Sequence, residues 1–370
     1  MPAGPTLSYK QIVSQAIWDD GAFGTVRIYR MSKDGSSTVV AGKSIAPNRD
    51  MSFQAILNEL IMLQQAQCEF VVKYVAQDVG QVGESGNVMI FTELCQCSVE
   101  AMLDFNNRSH FAIRAWGDSY RRVSPPKFDG LEEVVVCLDS ILQGLIFLHD
   151  YTIIHRDIKP LNILRSFDGK YKLCDFGLAK IVQGRKHTTK AYSEWYRAPE
   201  VSTGSYSFSS DIFATAVTFM DMLAQYQGDN GAVKYRDMFF SNETRNFTDL
   251  FALQEFRRTV PKEARRYLPL IEQMIQMPPS LRPTLEQVRT YLKEQTSVPP
   301  FEDLDLDSGS EHEIIHPPSA SQLPQNTSTL QARPARVTLS DGRVIDIVSF
   351  WHDDSGRLGG TTYTGEHVHI

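Results

Sequence analysis

Residues 153–177 read IIHRDIKPLNILRSFDGKYKLCDFG, and the reading of this stretch decides the rest. Two apolar-rich runs, Ile163-Leu164 and Tyr171-Lys172-Leu173, flank Asp168-Gly169, a dipeptide that favours a tight reversal. The pattern predicts a short hairpin. It would carry the polar residues before it (His155, Arg156, Asp157, Lys159 and Asn162) and the acidic Asp175 after it to one edge of the fold. HRD alone and DFG alone are short patterns that arise by chance. HRDxKPxN followed in order by DFG, with a hairpin between, is a far longer one.

This ordered set resembles the catalytic loop and the magnesium loop of eukaryotic protein kinases. Lys159-Pro160 is similar to the serine/threonine subclass. The resemblance implies roles that suit the chemistry. Asp157 would orient the attacking hydroxyl and accept its proton, and Lys159 would place a point charge near the transferred phosphate. Asn162 and Asp175 would hold Mg2+, which prefers hard oxygen ligands. Leu161 stands where many kinases of basic substrates carry glutamate, which argues against a strong preference for Arg upstream of the target.

Upstream, Asp19-Asp20-Gly21-Ala22-Phe23-Gly24-Thr25-Val26 resembles the glycine-rich loop, with Asp19 in place of the first glycine. Gly21 and Gly24 keep the close backbone approach that phosphates need. Val40-Ala41-Gly42-Lys43 resembles V-A-x-K, which makes Lys43 the lysine of the α- and β-phosphates. Gly42-Lys43-Ser44 also ends like a Walker A loop, but Ser37 stands where that motif needs glycine. Helical spacing of Phe53, Ile56, Leu57, Leu60 and Ile61 predicts a helix over 51–67. By resemblance Glu59, 16 residues after Lys43, is its partner. Strands are predicted at 71–76 and 87–92. Thr92-Glu93-Leu94-Cys95 then resembles the hinge, with Thr92 as gatekeeper and Glu93 and Cys95 meeting adenine. Gly21, Ala22, Phe23, Gly24, Val26, Ala41 and Leu164 complete the implied ATP site. Cys95 and Cys174 read as small core thiols or as targets for electrophiles.

Residues 104–130 match nothing in the family pattern. They mix Arg108, Arg114, Arg121 and Arg122 with Phe111, Trp116 and Tyr120. A surface excursion is the plainer reading, a docking loop the functional one. A helix is predicted over 131–149. Trp195-Tyr196-Arg197-Ala198-Pro199-Glu200 is similar to the end of the activation segment in the cyclin-dependent and MAP kinase group. Residues 225–261 lack the insert expected of MAP kinases. Ser193 takes the place of the hydroxyl residue that holds Asp157 and Lys159. Thr188 and Thr189 are candidate phosphorylation sites able to pair with Arg156. By resemblance Asp211 braces the catalytic loop and Arg282 pairs with Glu200.

The chain has 370 residues, 42% hydrophobic and 22% charged, with a net charge of −7. That composition is ordinary for a globular protein, and the acidic balance argues against nucleic-acid binding. Five scattered cysteines, with no Cys-x-x-Cys pair, fit reduced thiols in the cytosol or nucleus. No signal peptide, myristoylation site or run of bilayer length is expected, hence no membrane. After residue 295 the composition shifts. Phe301 to Glu313 carries six carboxylates and no Lys or Arg, and Pro, Ser, Gln and Thr follow. A hairpin is expected over 336–350 around Asp341-Gly342, with a further strand near the end. His367 and His369 read as surface histidines rather than metal ligands.

The fold class expected is α+β, the bilobal protein kinase fold. It divides into a small, mainly β N-lobe at 9–95 and a larger, mainly α C-lobe at 96–296. A disordered linker is expected at 297–335 and a small β appendage at 336–370. The resemblance implies an ATP- and Mg2+-dependent serine/threonine kinase acting on protein substrates, with docking partners at 104–130 and 336–370. Two alternatives stand beside it: a nucleotide-binding scaffold without turnover, prompted by Asp19, and a small-molecule kinase, disfavoured by the segment from Ser193 to Glu200.

Overall fold

The computed structural model describes residues 8–12, 18–20, 24–33, 36–46, 53–79, 88–104, 111–116, 119–177, 179–181, 196–226, 256–297, 335–338, 344–352, 358–362 and 367–369. Gly21, Ala22, Phe23, Thr188, Thr189, Ser193 and residues 298–334 lie outside the described residues.

An antiparallel sheet forms the first part. Its strands are β1 (Ser8–Gln11), β2 (Trp18–Asp20), β3 (Gly24–Lys33), β4 (Ser36–Ile45), β5 (Tyr74–Val79) and β6 (Val88–Glu93). They run in the order β1-β3-β4-β6-β5, with β2 paired to β3. One face packs Tyr29, Met31, Val40 and Phe91, capped by Tyr9. The Tyr9 hydroxyl donates to Asp78 Oδ2 at 2.6 Å. Gly42 belongs here for a steric reason: a Cβ would sit 2.6 Å from the Tyr29 ring and 2.9 Å from Phe91. The helix α1 (Phe53–Gln65) covers the other face. It is shorter than the apolar periodicity predicts. Ile56, Leu60 and Leu63 are buried in the main core.

The second part is mainly helical. Its elements are β7 (Cys97–Ser98), α2 (Val99–Leu103), β8 (Ala112–Trp116), β9 (Ser119–Val123), α3 (Gly130–Asp150), β10 (Ile153–Ile154), β11 (Ile163–Arg165), β12 (Tyr171–Leu173), β13 (Lys180–Ile181), α4 (Phe208–Gln225), α5 (Leu268–Met274) and α6 (Leu285–Ser297). Ser98 caps α2, its hydroxyl accepting from Ala101 N–H at 3.2 Å. Helix α4 is buried on all sides from Ser210 to Ala224, as expected of a helix at the centre of a lobe. The reversal at Asp168-Gly169 joins β11 to β12, and β7 completes that small sheet on the far side of β11.

Two features differ from the sequence reading. Residues 112–123 are a β-hairpin, not an irregular excursion: Ala112 and Ile113 are buried, and Ile113 N–H donates to Gln96 O at 2.7 Å. The C-terminal region is a four-stranded antiparallel meander, one strand more than the hairpin and further strand expected. It comprises β14 (Ala335–Thr338), β15 (Val344–His352), β16 (Leu358–Thr362) and β17 (His367–His369). The backbone of β14 runs beside α1.

Candidate active site

The turn at Asp168-Gly169 does what the sequence suggests it would. It folds the segment carrying Asp157 and Asn162 back against the one carrying Asp175. Cys174 N–H donates to Asn162 O at 3.0 Å, and His155 Nε2 meets Cys174 O at 3.1 Å. The backbone ahead of Asp157 is gripped from α4. Asp211 accepts from His155 N–H and Arg156 N–H, both at 2.9 Å. That grip holds Arg156 at φ 71°, a left-handed conformation costly for a residue with a Cβ. The Arg156 guanidinium lies 3.8 Å from the centroid of the Tyr206 ring.

Asp157 is 4% exposed. Its Oδ2 receives Asn162 Nδ2 at 2.8 Å and lies 2.9 Å from Lys159 Nζ. Its Oδ1 is buried and has no hydrogen-bond partner. An orphaned carboxylate oxygen is costly to keep dry, and it marks a place where a donor is expected to arrive.

Across the cleft, β4 presents Lys43 and α1 presents Glu59. Lys43 Nζ is 2.6 Å from Glu59 Oε1 and 3.0 Å from Asp175 Oδ1. Burial alone would lower the Lys43 pKa, but the Asp175 and Glu59 carboxylates outweigh it and hold the ammonium above its ordinary range. The two carboxylates differ. Burial raises Glu59, against the pull of Lys43 and with the help of Asp175. Burial would raise Asp175 too, but Lys43, Lys159 and the Gly177 N–H together hold it below its ordinary value. The site therefore favours the charged form of Asp175 more than that of Glu59. Gly177 leaves the room this needs, since a Cβ there would lie 3.2 Å from Glu59 Oε2 and 3.3 Å from Asp175 Oδ1.

The donor set fits magnesium. Asp175 is held ionised, and the Asn162 amide nitrogen is turned to Asp157, which leaves the amide oxygen as the hard donor. Among the described residues no three His, Cys, Asp or Glu side chains converge to hold a metal by themselves. A cation here would share its coordination with the phosphates of a nucleotide.

The other predicted positions fall as follows. Val26 pairs with Lys43 and Ala41 with Thr92 in the sheet register, while Leu164 in β11 packs against the main core. Asp19 lies opposite Thr25 in β2. At the hinge, Glu93 N–H donates to Lys73 O at 2.9 Å, and Glu93 Oε1 accepts from Lys172 Nζ at 2.6 Å. Cys95 is buried, and burial followed by the Glu93 carboxylate pushes its thiol up to about 12. Burial likewise drives Cys174 well above the thiol range. Burial disfavours the thiolate at both, which favours the core-thiol reading.

Sequence alone does not single out Tyr206, Lys172 or His149. His149 Nε2 lies 2.9 Å from Asp211 Oδ2. Each owes its role to a partner more than 45 residues away. Farther off, Arg282 grips Glu200 with both terminal nitrogens, at 2.6 and 2.9 Å.

With this geometry in place, comparison with known proteins is decisive. The protein kinase domain family model matches residues 17–291. The chain belongs to that family. It is 32% identical over 208 residues to "MAP kinase kinase skh1/pek1" of Schizosaccharomyces pombe, covering 55% of this chain and 51% of the relative. It is 31% identical over 206 residues to "Serine/threonine-protein kinase 4 homolog B" of Dictyostelium discoideum, covering 55% of this chain and 16% of that protein. The chain thus spans about half the length of the first relative and about a sixth of the second. The small β sheet and helical second part are the bilobal fold of that family.

Proposed function

We propose that the chain is a serine/threonine protein kinase that transfers the γ-phosphate of ATP to protein hydroxyls. The observation that carries this reading is the buried, unpartnered Asp157 Oδ1, set in a cleft where Lys43, Glu59 and Asp175 are already joined. An enzyme needs those groups placed before substrate arrives, because the reaction gains mostly from positioning and preformed electrostatics. Asp157 Oδ1 accepts the proton of the attacking hydroxyl. Lys159, tied to Asp157 Oδ2, brings positive charge beside the acceptor. Lys43 binds the phosphate tail, and Glu59 fixes the direction of its ammonium. Asn162 and Asp175 would hold magnesium, which neutralises phosphate charge when bound.

The adenine is assigned to Glu93 and Cys95 backbone groups beside Thr92, with Val26, Ala41 and Leu164 as its apolar walls and residues 21–24 over the phosphates. Control at Thr188 and Thr189 belongs to the same proposal, as does a cytosolic or nuclear location, which the free cysteines support. The division at about residues 95 and 296, and a partner-binding role for 336–370, are proposed with it. The scaffold reading rests on Asp19, together with the unplaced loop at 104–130 and the C-terminal tail. Every group that transfer requires is present.

The test incubates the purified chain with Mg2+, labelled ATP and a generic Ser/Thr substrate, beside Asp157→Asn. Transfer by the parent, reduced roughly 10²–10⁴-fold in the variant, is the expected result. Mapping the label on the chain itself tests Thr188 and Thr189. Nucleotide binding with no transfer, even after treatment with cell extract, would move the assignment to the scaffold.

A further inference from the structure

The hairpin β8–β9 has no role in the cleft, yet it is firmly built. Its base is buried at Ala112 and Ile113 and is bonded to Gln96, where the hinge enters the large lobe. Its far part is exposed and basic. Arg114 and Arg121 are direct cross-strand partners, and both are exposed. Neither has an ion-pair or hydrogen-bond partner among the described residues. Like charges directly opposite one another weaken a two-stranded ribbon. Arg122, next along β9, stacks its guanidinium 3.9 Å from the Phe111 ring centroid. Neither strand contains an acidic residue. A basic ridge on a chain of net charge −7 is a local feature, and it calls for a local anion.

The path of the chain points to one. Arg289 of α6 pairs with Asp139 of α3. Glu286, one turn earlier in α6, acts on the carboxyl of Asp150 at the end of α3, adding to the effect of burial there. The two helices are therefore antiparallel, and α6 delivers Ser297 toward the Gly130 end of α3. That is the end the hairpin leads into. Phe301 to Glu313, with Glu302, Asp303, Asp305, Asp307, Glu311 and Glu313 and no cation, begins four residues farther on. Its last residue is within a contour of about 54 Å of Ser297 at ~3.4 Å per residue. The next described strand, β14, lies beside α1 in the small lobe. The described chain thus ends in the large lobe at Ser297 and resumes beside α1, and the base of the hairpin is bonded to Gln96, just past the hinge.

We infer that the arginine ridge of β8–β9 is the docking surface for the chain's own acidic segment, residues 301–313, held through Arg114 and Arg121. Two guanidiniums on adjacent strands present the forked donors that carboxylates accept. Tethering supplies the rest: at an effective concentration of about 1 mM, a segment with an intrinsic Kd of about 50 μM excludes free competitor roughly twentyfold.

The test is a binding measurement, so its result stands apart from whether the chain transfers phosphate. A fluorescent peptide of residues 301–313 is titrated by anisotropy into the full chain and into a full-length variant with the six carboxylates changed to Asn or Gln. The neutralised chain is expected to bind about twentyfold more tightly, because its ridge is vacated. Binding should weaken as salt rises. Adding Arg114→Glu and Arg121→Glu should cost at least tenfold, and Arg114→Gln with Arg121→Gln about fivefold, with unchanged circular dichroism. Equal affinity for the parent and neutralised chains, still dependent on the arginines, would overturn the inference by making the occupant an acidic partner in trans. Binding indifferent to the arginines, or none, would overturn it outright.

Discussion

The Arg282–Glu200 pair and the Lys43–Glu59–Asp175 triplet are both networks of buried charge, but they are finished to different degrees. Arg282 has no exposed side-chain surface, and every nitrogen is used: Nη1 for Glu200 and Ser209 O, Nη2 for Glu200 and the Met277 sulfur, Nε for Gln276 O. In the cleft, Glu59 Oε2 and Asp157 Oδ1 are buried with no partner. A completed network specifies a shape. An incomplete one bears a cost that only a ligand relieves, which is why strain and unpaired polar atoms gather where chemistry occurs. The contrast predicts that damage to the first network costs stability and damage to the second costs turnover.

The largest effect should come from Arg282→Ala. It leaves Glu200 without its bidentate partner and takes one donor each from Ser209 O and Gln276 O. Breaking one side of a buried pair costs about 3–5 kcal/mol, a fall in Tm on the order of 10 °C for a domain of this size. Turnover per folded molecule should stay within about threefold, as checked by thermal unfolding beside kinetics normalised to nucleotide-binding sites. Folded but silent Arg282→Ala would break the comparison. Lys43→Met is its mirror. The phosphate anchor is lost, and kcat should fall roughly 10²–10³-fold, as when one preorganised donor is removed. Stability should shift by no more than about 1 kcal/mol, because a raised Glu59 takes up a proton instead of remaining a buried anion.

Gly177→Ala sharpens the contrast on a smaller scale. The new methyl would press on Glu59 Oε2 and Asp175 Oδ1 at 3.2 and 3.3 Å, and both carboxylates are pinned to Lys43. Overpacking of this kind costs about 1–2 kcal/mol of stability, and the displaced carboxylates should lower kcat/KM about tenfold. An unaltered kcat/KM would mean that the triplet yields easily, and its incompleteness would then say little about function.

The two networks also differ in how they appear in the sequence. Asp157, Lys159, Asn162 and Asp175 are legible because one short hairpin brings them together, and spacing within 25 residues fixes their order. Lys43 and Glu59 are legible through resemblance, Lys43 in a V-A-x-K pattern and Glu59 on the helix that follows it. By contrast, the contacts of Tyr206 with Arg156, Lys172 with Glu93 and His149 with Asp211 join residues 50 to 79 positions apart. Nothing local in the chain announces such partners. The β8–β9 hairpin is a different case. Gly117-Asp118 is a two-residue turn signal between two strand-like runs. Arginines at facing positions, where alternation would lead one to look for a buried pair, obscure the pattern. The appendage reads as a hairpin with one further strand, not two, because Gly359-Gly360 hides a strand that tolerates glycine only within an already formed sheet.

The smallest predicted effect isolates the two carboxylates of the triplet through pH. Glu59 is raised from 4.5, so between 4.5 and its folded value the folded chain binds more protons than the unfolded one. Its contribution to stability therefore falls as pH rises through that window and levels off above it. Asp175 is lowered from 3.8 and has the opposite sign: its contribution is present above 3.8 and is lost as pH falls through its folded value. Lys43 stays protonated throughout and adds only a constant offset. Subtracting the unfolding free energy of Glu59→Gln from that of the parent at each pH removes what they share. The difference should decline from pH 4 upward and then flatten. The same subtraction with Asp175→Asn should instead rise through the region below pH 3.8. Denaturant titrations across this range measure both curves. Parallel slopes would mean that Lys43 treats its two acidic neighbours alike. Opposed slopes would place the cost of the triplet on Glu59 and leave Asp175 as the charge kept ready for a cation.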